Sequence, residues 1–246
     1  MQRALTAIDD PLEKIRELAK SGDFDGIGAA LQVGGAVSPI FKVGSIAKSI
    51  ATSYKSGEKI WIAIIALCDE LQRTQDRWPK DLESAFDSDW FKRAMTVLME
   101  ESARAVNEDY ARLLARVAAQ GCFPSEENKH RQEDLASYIH DLAQLGADDI
   151  QMLKILRDAY KDVFRNTPNL HDPNRFTNHN ESFKHAADKL NIHPDDRLSL
   201  GARLSGFGLA FESVPQIEGR FFRPTRRGFY LLSLLEAAEL PIEQQN

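Results

Sequence analysis

LGARLSGFGL (200–209) runs into LAFESV (209–214), PQIEG (215–219), RFFRPT (220–225) and RRGFY (226–230). Leu200, Leu204, Phe207 and Leu209 mark the end of a helix whose last turn meets the glycine pair Gly206/Gly208, residues suited to a left-handed stop. The two short runs that follow carry aromatic residues and valine, and the connection between them contains a glycine; this pattern predicts a β-hairpin. Thr225 then offers a hydroxyl to the first exposed N–H groups of a last helix, Arg226 to Leu240. Phe229, Leu232, Leu235 and Glu236 recur along it at helical spacing, and Pro241 follows.

Upstream, Pro194 sits after His193 as a first helical residue, and an earlier helix resumes near Glu181. Asp148 and Asp149 open a further helix with Ile150, Leu153, Leu156, Tyr160 and Phe164 along one side, acids at the positive helix end. Asn166 to Asn180, with two prolines and five asparagines, is a loop by composition. Helices, a helix closing on Gly-Leu, a hairpin and a terminal helix opened by Pro224-Thr225-Arg226-Arg227-Gly228 together resemble a winged helix-turn-helix domain over residues 147–240. Winged helices often start their last helix on a Thr-Pro-x-Gly-like run; here the order is Pro-Thr. The resemblance implies that the helix near 194–206 docks in a DNA major groove while the hairpin lies on the backbone.

The candidate nucleic-acid or partner contacts on that reading are Arg197, Arg203, Arg220, Arg223, Arg226 and Arg227. The last four fall within eight residues. Asp195 and Asp196 stand beside Arg197, and from Ala147 onward 13 Lys+Arg face 14 Asp+Glu, a net of −1 rather than a basic stripe. The charge pattern therefore suits a protein-contact or self-association module, with nucleic acid as a second ligand.

The remainder of the chain is helical by pattern. Asp9, Asp10 and Pro11 predict a helix start, Leu12, Ile15, Leu18 and Ala19 its apolar stripe, and Gly22 its end. Between Gly22 and Gly44 lie six glycines, and Gly22, Gly26, Ala30, Gly34 and Ser38 recur every fourth position. That spacing fits a small-residue helix face or a Gly-rich loop, with Pro39 kinking any helix through it; a membrane-active element over residues 22–50 is the sharper alternative. Ile60–Leu71 is apolar on nearly all sides, as in a core helix, and Cys68 reads there as a small hydrophobe. Trp78-Pro79-Lys80 breaks the pattern. From Asp81 to Gln120 the spacing predicts continuous helix: Trp90, Met95, Leu98 and Met99 on one stripe, Ala103, Val106, Tyr110, Leu113, Leu114 and Val117 on the next, with Gly121 ending it. Leu135, Ile139, Leu142 and Leu145 form a further stripe.

Two segments extend this. Val106-Asn107-Glu108-Asp109-Tyr110-Ala111-Arg112-Leu113-Leu114-Ala115 and Leu142-Ala143-Gln144-Leu145-Gly146-Ala147-Asp148-Asp149-Ile150-Gln151-Met152-Leu153-Lys154, with the closing element above, resemble the bacterial abortive-infection "alpha" domain proteins over residues 84–235. The resemblance implies a role in phage defence. Separately, Arg165-Asn166-Thr167-Pro168-Asn169-Leu170-His171 resembles the Arg-polar-x4-His motif of helical ribonucleases called HEPN domains. It implies that Arg165 and His171 act on an RNA 2′-OH, the histidine in acid–base work and without a metal. Pro168 between them opposes a shared helix face.

With 43% hydrophobic and 28% charged residues, net charge −6 and pI near 5.6, the 246-residue chain has the balance of a soluble fold and no general affinity for polyanions. Its longest uncharged run, Gly26–Phe41, is 16 residues, short of the roughly 20 that span a bilayer. Cys68 and Cys122 cannot build a disulfide framework or a zinc site alone, and none of the six histidines makes a metal-binding pair. P-loop, GxGxxG and GxSxG motifs are absent from the sequence. The expectation is a cytoplasmic, mainly α protein without cofactor or metal: a multi-helix bundle with a C-terminal winged-helix-like domain containing one β-hairpin. Its regions are an N-terminal helical region (1–80), a helical bundle region (81–146) and the winged-helix-like domain (147–246). Its expected function is non-enzymatic interaction, by a protein partner or self-association.

Overall fold

The computed structural model describes residues 39–51, 58–74, 78, 82–123, 131–166, 191–213 and 221–239, with parts of 15–29 and 181–188. The protein is mainly helical, with one two-stranded antiparallel sheet near its C-terminus. The helices are α1 (Pro39–Ala51), α2 (Glu58–Arg73), α3 (Leu82–Asp87), α4 (Asp89–Arg104), α5 (Glu108–Cys122), α6 (Leu135–Gln144), α7 (Ala147–Asn166), α8 (Pro194–Gly206) and α9 (Arg226–Glu239). Strands β1 (Ala210–Ser213) and β2 (Phe221–Pro224) form the hairpin. The chain divides into two compact units, residues 1–143 with 237–246, and residues 144–236.

In the first unit, α2 packs on α5, α1 and α4, and α4 on α5 and α1. Thus α2 and α5, one on each side of the break at Trp78–Lys80, share one core. The expected apolar helix is α2, burying Ile60, Trp61, Ala63, Ile64, Ala66, Leu67, Cys68 and Leu71. Ile15, Ile27, Val43 and Ala47 are buried as well. The proposed caps at Asp9, Asp10 and Gly22 lie outside the described residues.

Three local expectations are corrected. Pro39 kinks nothing: it is the first residue of α1, where a missing N–H costs nothing. Continuous helix from Asp81 is broken twice, because Ser88 and Asn107 are N-caps whose side chains accept N–H bonds from Phe91 and Tyr110. Between helices, Ala105–Asn107 turns Val106 outward to 83% exposure, and Ala103 is exposed too, so neither joins the buried stripe. Gly121 lies inside α5 rather than ending it. A Cβ there would strike the Leu135 side chain, so the glycine permits a close approach between residues 121 and 135.

In the second unit, α8 packs on α7 and on both strands, and β2 also packs on α7. The register pairs Ala210 with Pro224, Phe211 with Arg223, Glu212 with Phe222, and Ser213 with Phe221. Alternation then puts Phe222 on the inner face, buried, and Phe211 with Arg223 on the outer one. Gly201 of α8 is where the Phe222 ring enters; any Cβ would overlap it. Gly208 follows α8 with φ +69°, the left-handed conformation expected of a helix stop. Thr225 caps α9 as expected: its Oγ1 accepts from Gly228 N at 3.1 Å and donates to Gly208 O at 2.7 Å. Gly228 in turn lets α9 lie against the Leu209 carbonyl, which a side chain would meet head-on.

Candidate functional site

The predicted contact arginines divide into two groups. Arg197 and Arg203 belong to α8 itself. The Arg197 side chain is only 11% exposed: its Nε donates to Ile192 O at 2.9 Å and its Nη2 to Asp188. It thus closes the end of the preceding helical segment. Arg203 donates from Nη2 to Gln144 O at 2.7 Å and lies 3.4 Å from Asp149 Oδ2. Asp149 is fully buried at the third position of α7 and accepts from Gly146 N at 2.8 Å. Both arginines are therefore committed to holding helices of their own unit together.

Only Arg197 is turned inward; α8 presents Asp195, Asp196, Leu198, Ser199, Ala202 and the half-exposed Arg203 to solvent. Leu198 is 49% exposed, a large aliphatic on the helix that the winged-helix likeness would send into DNA. His193 caps α8, its Nδ1 accepting from Asp195 N at 3.4 Å and lying 3.6 Å from the Asp195 carboxylate. Such a face offers two carboxylates and an aliphatic at its start and the half-exposed Arg203 in its last turn, a mixed surface that suits protein contact, and its acidic start repels phosphate.

The second group sits at the other end of α8. On the outer face of the hairpin the Arg223 guanidinium lies over the Phe211 ring, 5.0 Å from its centroid, and Phe211 is 51% exposed. Arg226 is exposed at the first position of α9, and Arg227, beside it, is half-buried. Arg220 lies outside the described residues. So does His171; Arg165 falls in the last turn of α7, which ends at Asn166. Residues 22–38 are described only in part, and among the described residues no helix is long and apolar enough to cross a membrane.

Sequence reading missed the burial of Asp141 and of three further acids in the helical units. Glu70, inside the apolar run of α2, is fully buried; Gln120 Nε2 donates to its Oε1 at 2.7 Å and Arg73 pairs with Oε2. Glu101, also buried, takes the His140 Nδ1 at 2.8 Å, with Arg104 at 3.7 Å. Asp149 is the third. Glu70 falls inside the predicted apolar run, whereas Gln120, His140 and Arg203, which meet Glu70, Glu101 and Asp149, lie far off in sequence. Burial raises both cysteine thiols, Cys68 to about 12, with Asp69 adding to the effect there. Among the described residues no group of three His, Cys, Asp or Glu side chains is placed to hold a metal ion.

No family model, curated protein or solved structure matches this chain.

Proposed function

We propose that the protein is a non-enzymatic interaction module whose C-terminal unit, built on a winged-helix-like plan, binds a protein partner through the outward face of α8. The observation that carries this reading is the inward commitment of Arg197, which leaves Asp195, Asp196 and Leu198 as the outward start of α8 where a DNA-reading helix needs cations. The likeness of residues 84–235 to abortive-infection "alpha" proteins supports phage defence as the setting. Nucleic acid remains a second ligand for the cationic hairpin end alone, where Arg223, Arg226 and Arg227 stand.

The test is a duplex-DNA titration across salt with the full chain, alongside Arg223→Glu with Arg227→Glu. The expected result is weak binding whose salt slope is shallow, since few phosphates are neutralised. Tight binding with a steep slope that collapses in the double variant would give the unit to nucleic acid instead. The ribonuclease reading is tested separately with single-stranded RNA and His171→Ala, and the membrane reading by vesicle leakage with Gly26→Leu/Gly34→Leu.

A further inference from the structure

Resting on the interaction reading above, we infer that the occupant of the α8 face is a second copy of this chain, docked head to tail. In this arrangement the Asp195/Asp196 end of one copy meets the Phe211/Arg223/Arg226 end of the next. The charges of this unit are sorted along α8. Asp195 and Asp196 stand at its start, and the side chain of Asp195 is 90% exposed. The Thr225 hydroxyl, bonded to Gly208 O, fixes the start of α9 at the far end of α8 and with it Arg226. A 13-residue helix at 1.5 Å per residue separates these poles by about 20 Å. Within one copy they are too far apart to neutralise each other.

The positive pole is built in a way that favours a carboxylate. Arg226 opens α9, where the helix dipole disfavours a cation, and the first turn of α9 holds no acid to offset it. The Arg223 guanidinium lies over the Phe211 ring, a cation–π contact that helps to order it, and a guanidinium can meet a carboxylate with two N–H bonds. The negative pole supplies two carboxylates at adjacent positions, with Leu198 beside them as an apolar contact and small Ser199 and Ala202 admitting a close approach. The surfaces joined are different, so the contact is heterologous and propagates into a ring or an open chain rather than closing as a two-fold pair.

The test is sedimentation velocity on the full chain over a concentration series, at about 50 mM and about 500 mM salt, where screening separates exposed charges. The wild type is expected to associate with rising concentration, about tenfold more weakly at the higher salt. Asp195→Lys/Asp196→Lys and Arg223→Glu/Arg226→Glu should each be monomeric alone, and an equimolar mixture should associate again, because the reversed poles complement one another. Circular dichroism and melting temperature check that each variant folds; should either fail, Asp195→Asn/Asp196→Asn and Arg226→Gln are expected to weaken association without reversal. A monomeric wild type at low salt, variants that associate as the wild type does, or a mixture of folded variants that stays monomeric would each overturn the inference. A monomer that still binds a separate protein, and loses it as Leu198→Glu, overturns the second copy while leaving the interaction reading intact.

Discussion

In α2, eight apolar residues are buried across four turns, whereas α8 buries only Gly201 and Leu204 over nearly the same length. The first unit fills its interior with aliphatic side chains from several helices and tolerates a buried Glu70 because Gln120 and Arg73 meet both its oxygens. The second unit also has an apolar interior, with Leu153, Leu156, Leu209, Phe222, Leu231 and Leu235 buried in it, and it adds close approaches that glycines permit. Phe222 enters over Gly201, and α9 rides on the Leu209 carbonyl at Gly228. Polar fastening adds to this, from Arg197, Arg203 and the Arg157–Glu236 pair. The difference lies in the two helices: α2 is enclosed by side chains on most of its faces, whereas α8 meets its own unit through one glycine and one leucine. Burying only two residues leaves most of α8 facing outward, which is what an interaction surface requires.

The comparison can be broken most forcefully at Glu70. Glu70→Ala strands Arg73 and Gln120 without their acceptor and should cost about 4 kcal/mol in denaturant unfolding, as for other buried pairs cut on one side. A cost below about 1 kcal/mol would mean water already serves those groups. Next comes Gly228→Ala, which puts a methyl group into the Leu209 carbonyl and should destabilise by about 3 kcal/mol, read as lost amide protection in α9 and β2. The contrast predicts that Gly121→Ala costs less, about 1 kcal/mol, because the obstacle there is the end of the flexible Leu135 side chain. Thr225→Ala removes a helix cap and should cost about 1 kcal/mol. At the small end, Arg112→Ala loses exposed pairs with Glu108 and Asp109 and should shift stability by about 0.3 kcal/mol or less.

Thiol chemistry sharpens the same contrast on the first unit. With its folded pKa raised to about 12 by burial, Cys68 should hold about a thousandfold less thiolate at pH 8 than a free thiol. Alkylation should therefore follow unfolding rather than the native state. The sign of the linkage is fixed: the unfolded thiol ionises first, so the stability it contributes is whole below pH 9 and falls as pH rises toward 12. Rapid native alkylation of Cys68 would show that α2 opens locally.

Much of the second unit was legible because its signals are short-range. Gly208 announces a left-handed stop, Thr225 a cap and Pro194 a helix start, and each acts on N–H or C=O groups within a few residues. The breaks at Ser88 and Asn107 were equally local but were hidden under an apolar stripe that runs through them in sequence and not in space. Val106 is the residue that exposes the error: helical spacing assigns it to the core, and the capping turn at Asn107 throws it into water. For the candidate site, the arginines were found by composition, but which of them face outward was not: Arg197, turned inward, looks alike in sequence to the exposed Arg226.

The amino-acid order by itself determined the helical class, the hairpin with its place before the last helix, and the caps, since these follow from side-chain period and from bonds between near neighbours. Tertiary structure alone decided which charges are spent inside. Gln120 reaches Glu70 across 50 positions and Arg203 reaches Gln144 across 59. It also decided which glycines are indispensable, because Gly201 and Gly228 matter only for the ring and the carbonyl that packing brings against them. Those outcomes depend on groups that meet only when the chain is folded, and no local pattern encodes the meeting.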